Sequence, residues 1–146
     1  MINIIDGSIT FDSGLVLRKH MQLTEVESKH IKTKDEYGYV SLLLMPQSVE
    51  CTSFTVRVYF NDMHQLVGLN LVLNSYPIDW GNWSIETEVK RDVEQKEWLL
   101  KSIGKPPYKY SWGTVSAEYD QKSAMSSIYI NYERRSKKNW FKLIKK

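Results

Sequence analysis

Cysteine is nearly absent. Cys51 is the single thiol among 146 residues, so no disulfide can form within the chain and nothing suggests an oxidising compartment. Long apolar runs are missing as well. No stretch nears the roughly 20 apolar residues that span a bilayer. The start, Met1-Ile2-Asn3-Ile4-Ile5-Asp6, lacks the basic region and apolar segment of a secretory leader. The expectation is a soluble, cytoplasmic protein, in which the acceptor-like triplet Asn82-Trp83-Ser84 is accidental.

Metal and nucleotide motifs are missing too. His20, His30 and His64 have no second histidine or cysteine pair at ligand spacing, and a zinc site needs three or four ligands, some of them close in sequence. The seven glycines are scattered singly, so there is no phosphate-binding loop, dinucleotide fingerprint or nucleophile elbow. No catalytic residue, metal or cofactor is expected from these patterns. Glu118 and Asp120 flank Tyr119, but a solvated glutamate and a turn-forming aspartate account for them without acid–base chemistry.

What is present is an ordinary globular balance, 42% hydrophobic and 25% charged, which is enough for one domain with its own core. The charge is uneven. Residues 134–146 carry seven basic side chains and no acidic one; residues 1–133 carry 13 basic and 17 acidic, a net of −4. A single domain over 1–133 with a basic tail or short helix over 134–146 is the expected organisation. Trp140, Phe141, Leu143 and Ile144 interleave with lysines there. A tail of this kind docks on an acidic body, or contacts nucleic acid or an anionic membrane as a minor alternative.

Alternation carries most of the fold. Phe54, Val56, Val58 and Phe60 share one face of a strand; Val67, Leu69, Leu71 and Leu73 share one face of the next. Together they form an antiparallel hairpin with one buried side. Short strands are expected at Ile2 to Ile5 and Ser8 to Phe11 around Asp6-Gly7, and a further strand at Tyr37 to Met45. A short helix is expected from Thr24, with Glu27 closing its capping box. The strongest element is a helix over Ser84 to Ile103. Ser84 caps it, Glu86 and Glu88 sit at its positive end, and Gly104 with Pro106-Pro107 stops it. Ile85, Val89, Val93, Leu100 and Ile103 form its apolar stripe, with Lys96 filling the remaining position, and the expectation is that this stripe faces a sheet. Strands at Tyr110 to Tyr119 and Ser126 to Glu133 follow, with the turn at Asp120. The order ββαβββαββ predicts an α+β fold: a mainly antiparallel sheet of five to seven strands, with one long and one short helix on one face.

Two candidate sites follow. In the last hairpin Val115, Ala117 and Tyr119 pair with Ile128, Ile130 and Tyr132 as a buried side. The opposite side then carries Trp112, Glu118, Tyr129 and Asn131, alongside Arg57 and Tyr59 of the middle hairpin. Trp, Tyr and Arg anchor interfaces because they join large area to polar tips, so this open face is a candidate protein-binding surface. The plainer reading is an ordinary solvated sheet face. The alternative site is the loop of Asp79, Trp80 and Trp83, whose rings either stack on a small ligand or close the end of the core.

The run Trp112-Gly113-Thr114-Val115-Ser116-Ala117-Glu118-Tyr119-Asp120, followed by Ser126-Ser127-Ile128-Tyr129-Ile130-Asn131-Tyr132, resembles a group of small uncharacterised bacterial α+β proteins. The likeness extends over residues 50–133; Lys122-Ser123-Ala124 stands where the group has a glycine-containing turn. It carries no catalytic residues over. What it implies is an immunity-type partner of a bacterial toxin. Together with the missing catalytic motifs and the aromatic-polar face, the expectation is a non-catalytic protein that masks a protein partner; exposed strand edges would also allow a homodimer.

Overall fold

The computed structural model describes residues 1–26, 31–34, 40–75, 81 and 83–132, with 31–34 described as backbone only. The expected tail over 134–146 lies outside these residues, as do Asp79 and Trp80 of the candidate ligand loop. Chain order runs β1 (Ile9–Thr10), β2 (Val16–Leu17), a 3-10 turn (Leu23–Glu25), β3 (Ile31–Lys34), β4 (Val40–Leu43), β5 (Gln47–Val49), β6 (Thr52–Phe60) and β7 (Leu66–Leu73). After these come the helix α1 (Ile85–Ile103), then β8 (Lys109–Tyr110), β9 (Gly113–Asp120) and β10 (Met125–Asn131). Strands β1 and β2 form a small sheet of their own. The main sheet has the order β3-β4-β6-β7-β10-β9-β8, antiparallel throughout, with β5 added onto β6. This is the α+β architecture that the strand-after-strand order predicts.

The two hairpins meet as expected. Ile128 lies opposite Leu71 on one side and Ala117 on the other, and Val56 lies opposite Leu71. One face therefore collects Phe54, Val56, Val58, Leu69, Leu71, Val115, Ile128 and Ile130, all in the buried core. Two covers close that face. The first is the N-terminal segment, whose Ile2, Ile9, Phe11 and Leu17 join the same core. Its hydrogen bonds include one from the Trp112 indole N–H to the Ile4 carbonyl at 2.9 Å and one from the Tyr132 hydroxyl to the Gly7 carbonyl at 2.6 Å. Gly7 has φ +78°, and a Cβ there would sit 2.4 Å from the Trp112 ring, so only glycine permits both the turn and the ring contact. The second cover is α1, with Leu99 fully buried and Trp98 edge-on to Phe54 at 4.9 Å.

Three expectations need correction. Where the short helix was expected to start, Leu23–Glu25 form a 3-10 turn in which the Gln22 N–H donates to Glu25, and Ile31 already belongs to β3; residues 27–30 lie outside the described residues. Trp112 is not on the outer sheet face. It sits in the two-residue turn between β8 and β9, where alternation ends, and stacks at 4.9 Å on Tyr110 over the N-terminal segment. Finally, the apolar stripe of α1 does not face the sheet. Ile85, Val89, Val93 and Leu100 are 53, 49, 50 and 48% exposed, while Glu88, Arg91 and Gln95 are buried. Among the described residues no helix is long and apolar enough to cross a membrane.

Candidate partner-binding groove

The inverted orientation of α1 has a local cause. Strands β7 and β10 pair up to Leu71 opposite Ile128 and then part, so the next main-chain groups, at Leu73 and Ser126, lose their ladder partners. Buried amides and carbonyls must be satisfied from elsewhere. The helix does this. The Leu73 N–H donates to Gln95 Oε1 at 3.0 Å, and Arg91 Nε donates to the Leu73 carbonyl at 3.1 Å. The Ser126 N–H donates to Glu88 Oε1 at 3.0 Å, and Arg91 closes an ion pair with the other Glu88 oxygen. Glu88, Arg91 and Gln95 lie three and four residues apart, on one helical face. That face is turned inward because its side chains match the polar groups of this gap.

With the polar face inside, the apolar stripe is outside. Lys96 interrupts it but is drawn back along the helix to Asp92 at 2.7 Å. Val93 and Leu100 form one wall of a groove of about 1020 Å³, whose other lining includes Pro107, Tyr108, Ala117 and Glu118. Successive side chains of a strand point to opposite faces, and the groove touches Val115 and Ala117 as well as Thr114, Ser116 and Glu118. It therefore runs over the outer edge of β9 and reaches both faces of the sheet. An apolar helix stripe beside a strand edge that no described strand covers is a feature that monomers rarely leave without use.

Of the six residues expected on the open face, Glu118, Tyr129 and Asn131 line this groove. Tyr129 and Asn131 are buried at its floor; Tyr59 is buried and Arg57 half-buried on the same sheet face. Burial pushes the Tyr129 phenol up to about 12; a hydrogen bond with Ser127 opposes the shift, and the Asp120 and Glu118 carboxylates add to it. Burial likewise raises the Tyr59 phenol, against the opposing charge of Arg57. Both rings are neutral hydrogen-bonding groups at physiological pH. In the alternative ligand loop, Trp83 is 40% exposed, and its indole N–H donates to the Ala124 carbonyl at 2.9 Å, tying the start of α1 to the β9–β10 turn. Among the described residues, no three histidine, cysteine, aspartate or glutamate side chains are grouped as metal ligands.

What sequence reasoning missed is the groove itself. Its signal was available in part, as a second stripe on α1, Glu88-Arg91-Gln95, at the same helical spacing as the apolar one.

No family model matches the sequence, and no curated protein matches it significantly. Among solved structures, the chain is similar to one from the complex described as Rhs1-CT with its cognate immunity protein RhsI1, at 14% identity and a TM-score of 0.62. The alignment covers 99% of this chain and 94% of the other. At this identity the likeness is one of fold, and it extends from end to end.

Proposed function

We propose that this chain is a non-catalytic, immunity-type protein that masks a toxin by binding it at the groove between α1 and the edge of β9. The observation that carries the reading is the half-exposed stripe of Ile85, Val89, Val93 and Leu100 on a helix whose buried face is charged and polar. Covering such side chains is worth about 25 cal/mol per Å² of apolar surface, or on the order of 1 kcal/mol for each half-exposed residue. A partner therefore gains from a surface that the fold itself does not use. The likeness to a chain from a toxin–immunity complex supports the same reading, since both members of such a pair hold each other through a protein interface. Of the residues expected from sequence, half-buried Glu118 lies at the rim of the groove, while Tyr129, Asn131 and Tyr59 are buried and would shape it from within.

The test is co-expression with the cognate toxin domain, sought as the product of the adjoining gene in the native host. The wild-type chain should protect the cell and co-purify with the toxin. Val93→Asp with Leu100→Asp should weaken the complex by at least roughly tenfold, because each carboxylate would have to be desolvated against the partner. A double variant that protects as well as the wild type, with its fold intact, rejects the groove.

A further inference from the structure

Resting on that reading, we propose how the groove takes its partner: an extended segment of the toxin adds to the main sheet as a new antiparallel strand on the outer edge of β9. Its side chains opposite Ala117 and Tyr119 would be apolar.

The edge is open in a specific way. The Val115 N–H points away from β10 and donates to the Tyr108 carbonyl at 3.0 Å. In an antiparallel strand the main-chain groups of alternate residues point the same way, so those of Ala117 and Tyr119 also point outward. Ser116 and Glu118 point inward, opposite Tyr129 and Ser127. β8 begins a ladder on this edge, pairing Lys109 with Thr114 and Tyr110 with Gly113. It cannot extend that ladder past Tyr108, because the preceding residues are Pro107 and Pro106, which have no N–H to donate. Among the described residues, no strand pairs with β9 on this side beyond that point. An incoming segment would lie in line with β8 and continue what the chain itself cannot.

The two faces of the edge set the chemistry of that segment. Opposed residues in an antiparallel pair share a face. Side chains opposite Ala117 and Tyr119 would therefore project to the α1 side, where Val93 and Leu100 wait in the groove. A side chain opposite Glu118 would project to the other side of the sheet. Strand addition of this kind takes its affinity from main-chain bonds and its specificity from alternate side chains.

Hydrogen exchange on the wild-type chain, free and bound to the cognate toxin domain, reads this directly. The Ala117 and Tyr119 amides should exchange freely alone and about tenfold or more slowly in the complex. Ala117→Pro removes an outward N–H without touching the β10 ladder and should weaken binding by roughly tenfold. Protection of the Ile128 and Ile130 amides, which point toward β7, reports whether the proline variant keeps its fold. A complex that forms while Ala117 and Tyr119 exchange as in the free chain overturns strand addition and leaves the groove as the site. A wild-type chain that binds no toxin overturns both readings. A free chain that is already dimeric, with these amides protected until Ala117→Pro dissolves it, assigns the edge to a second copy and overturns the toxin segment as occupant.

Discussion

The two covers over the core face differ in what they bury. The N-terminal segment buries Ile2, Ile9, Phe11 and Leu17, and its hydrogen bonds run along its edges, from Trp112 and Tyr132 at one side and between Asp12 and the β5–β6 turn at the other. α1 buries a glutamate, an arginine and a glutamine and leaves its aliphatic side chains half in water. The difference lies in the part of the sheet that each cover meets. Under the N-terminal segment the sheet presents mainly apolar side chains. Under α1 the strands part at Leu73 and Ser126 and present main-chain groups, which only polar side chains can satisfy. A helix held in that way fixes its own register through directional bonds. Its apolar stripe is then available for another molecule.

The comparison breaks first at Arg91. Arg91→Met removes the donor to the Leu73 carbonyl and leaves the Glu88 carboxylate buried without its counter-charge. Losing one partner of a buried ion pair costs about 3–5 kcal/mol, the largest effect expected here, read as a shift of the urea midpoint at unchanged slope. Glu88→Gln should cost less, because an amide oxygen still accepts from the Ser126 N–H. Equal and small losses for both variants would mean that α1 is held by Leu99 and Trp98 alone.

This difference between the covers also marks what the sequence could tell. The hairpin of β6 and β7 was legible because Phe54, Val56, Val58 and Phe60 alternate with half-buried neighbours. Within the last hairpin, Val115, Ile128 and Ile130 were correctly read as inward. The ends of α1 were legible from local chemistry: the Ser84 hydroxyl accepts from the Thr87 N–H, and Gly104 adopts φ +86°. The inward face of α1 was not legible from period alone. A helix with two stripes has two candidate faces, and the choice depends on where two distant strands stop pairing. Trp112 was misplaced for a related reason, since alternation holds only within a strand and the residue lies in a turn. The groove needs both of these facts and the strand order as well, which puts β9 rather than β6 near the edge of the sheet.

The N-terminal cover should yield less at its rim. Trp112→Phe keeps an aromatic ring over Gly7 but deletes the indole donor to the Ile4 carbonyl and part of the stack on Tyr110. The expected loss is about 2 kcal/mol, from one hydrogen bond and a small cavity, measured by the same denaturant series. A loss as large as that of Arg91→Met would place the polar and apolar covers on an equal footing and remove the contrast between them.

The smallest effect is the most discriminating. Val89→Thr and Val93→Thr trade a methyl for a hydroxyl on side chains that are already half in water. If the stripe contributes nothing to the fold, each change should stay within about 0.5 kcal/mol of the wild type. Ile103, the member of the stripe that packs against the core, should cost more when changed to the same residue. The stripe would then divide into a part that stabilises α1 and a part reserved for contact. A loss near 2 kcal/mol at Val93 would instead show that something covers the groove in the free protein, and the outer face of α1 would become a second buried face.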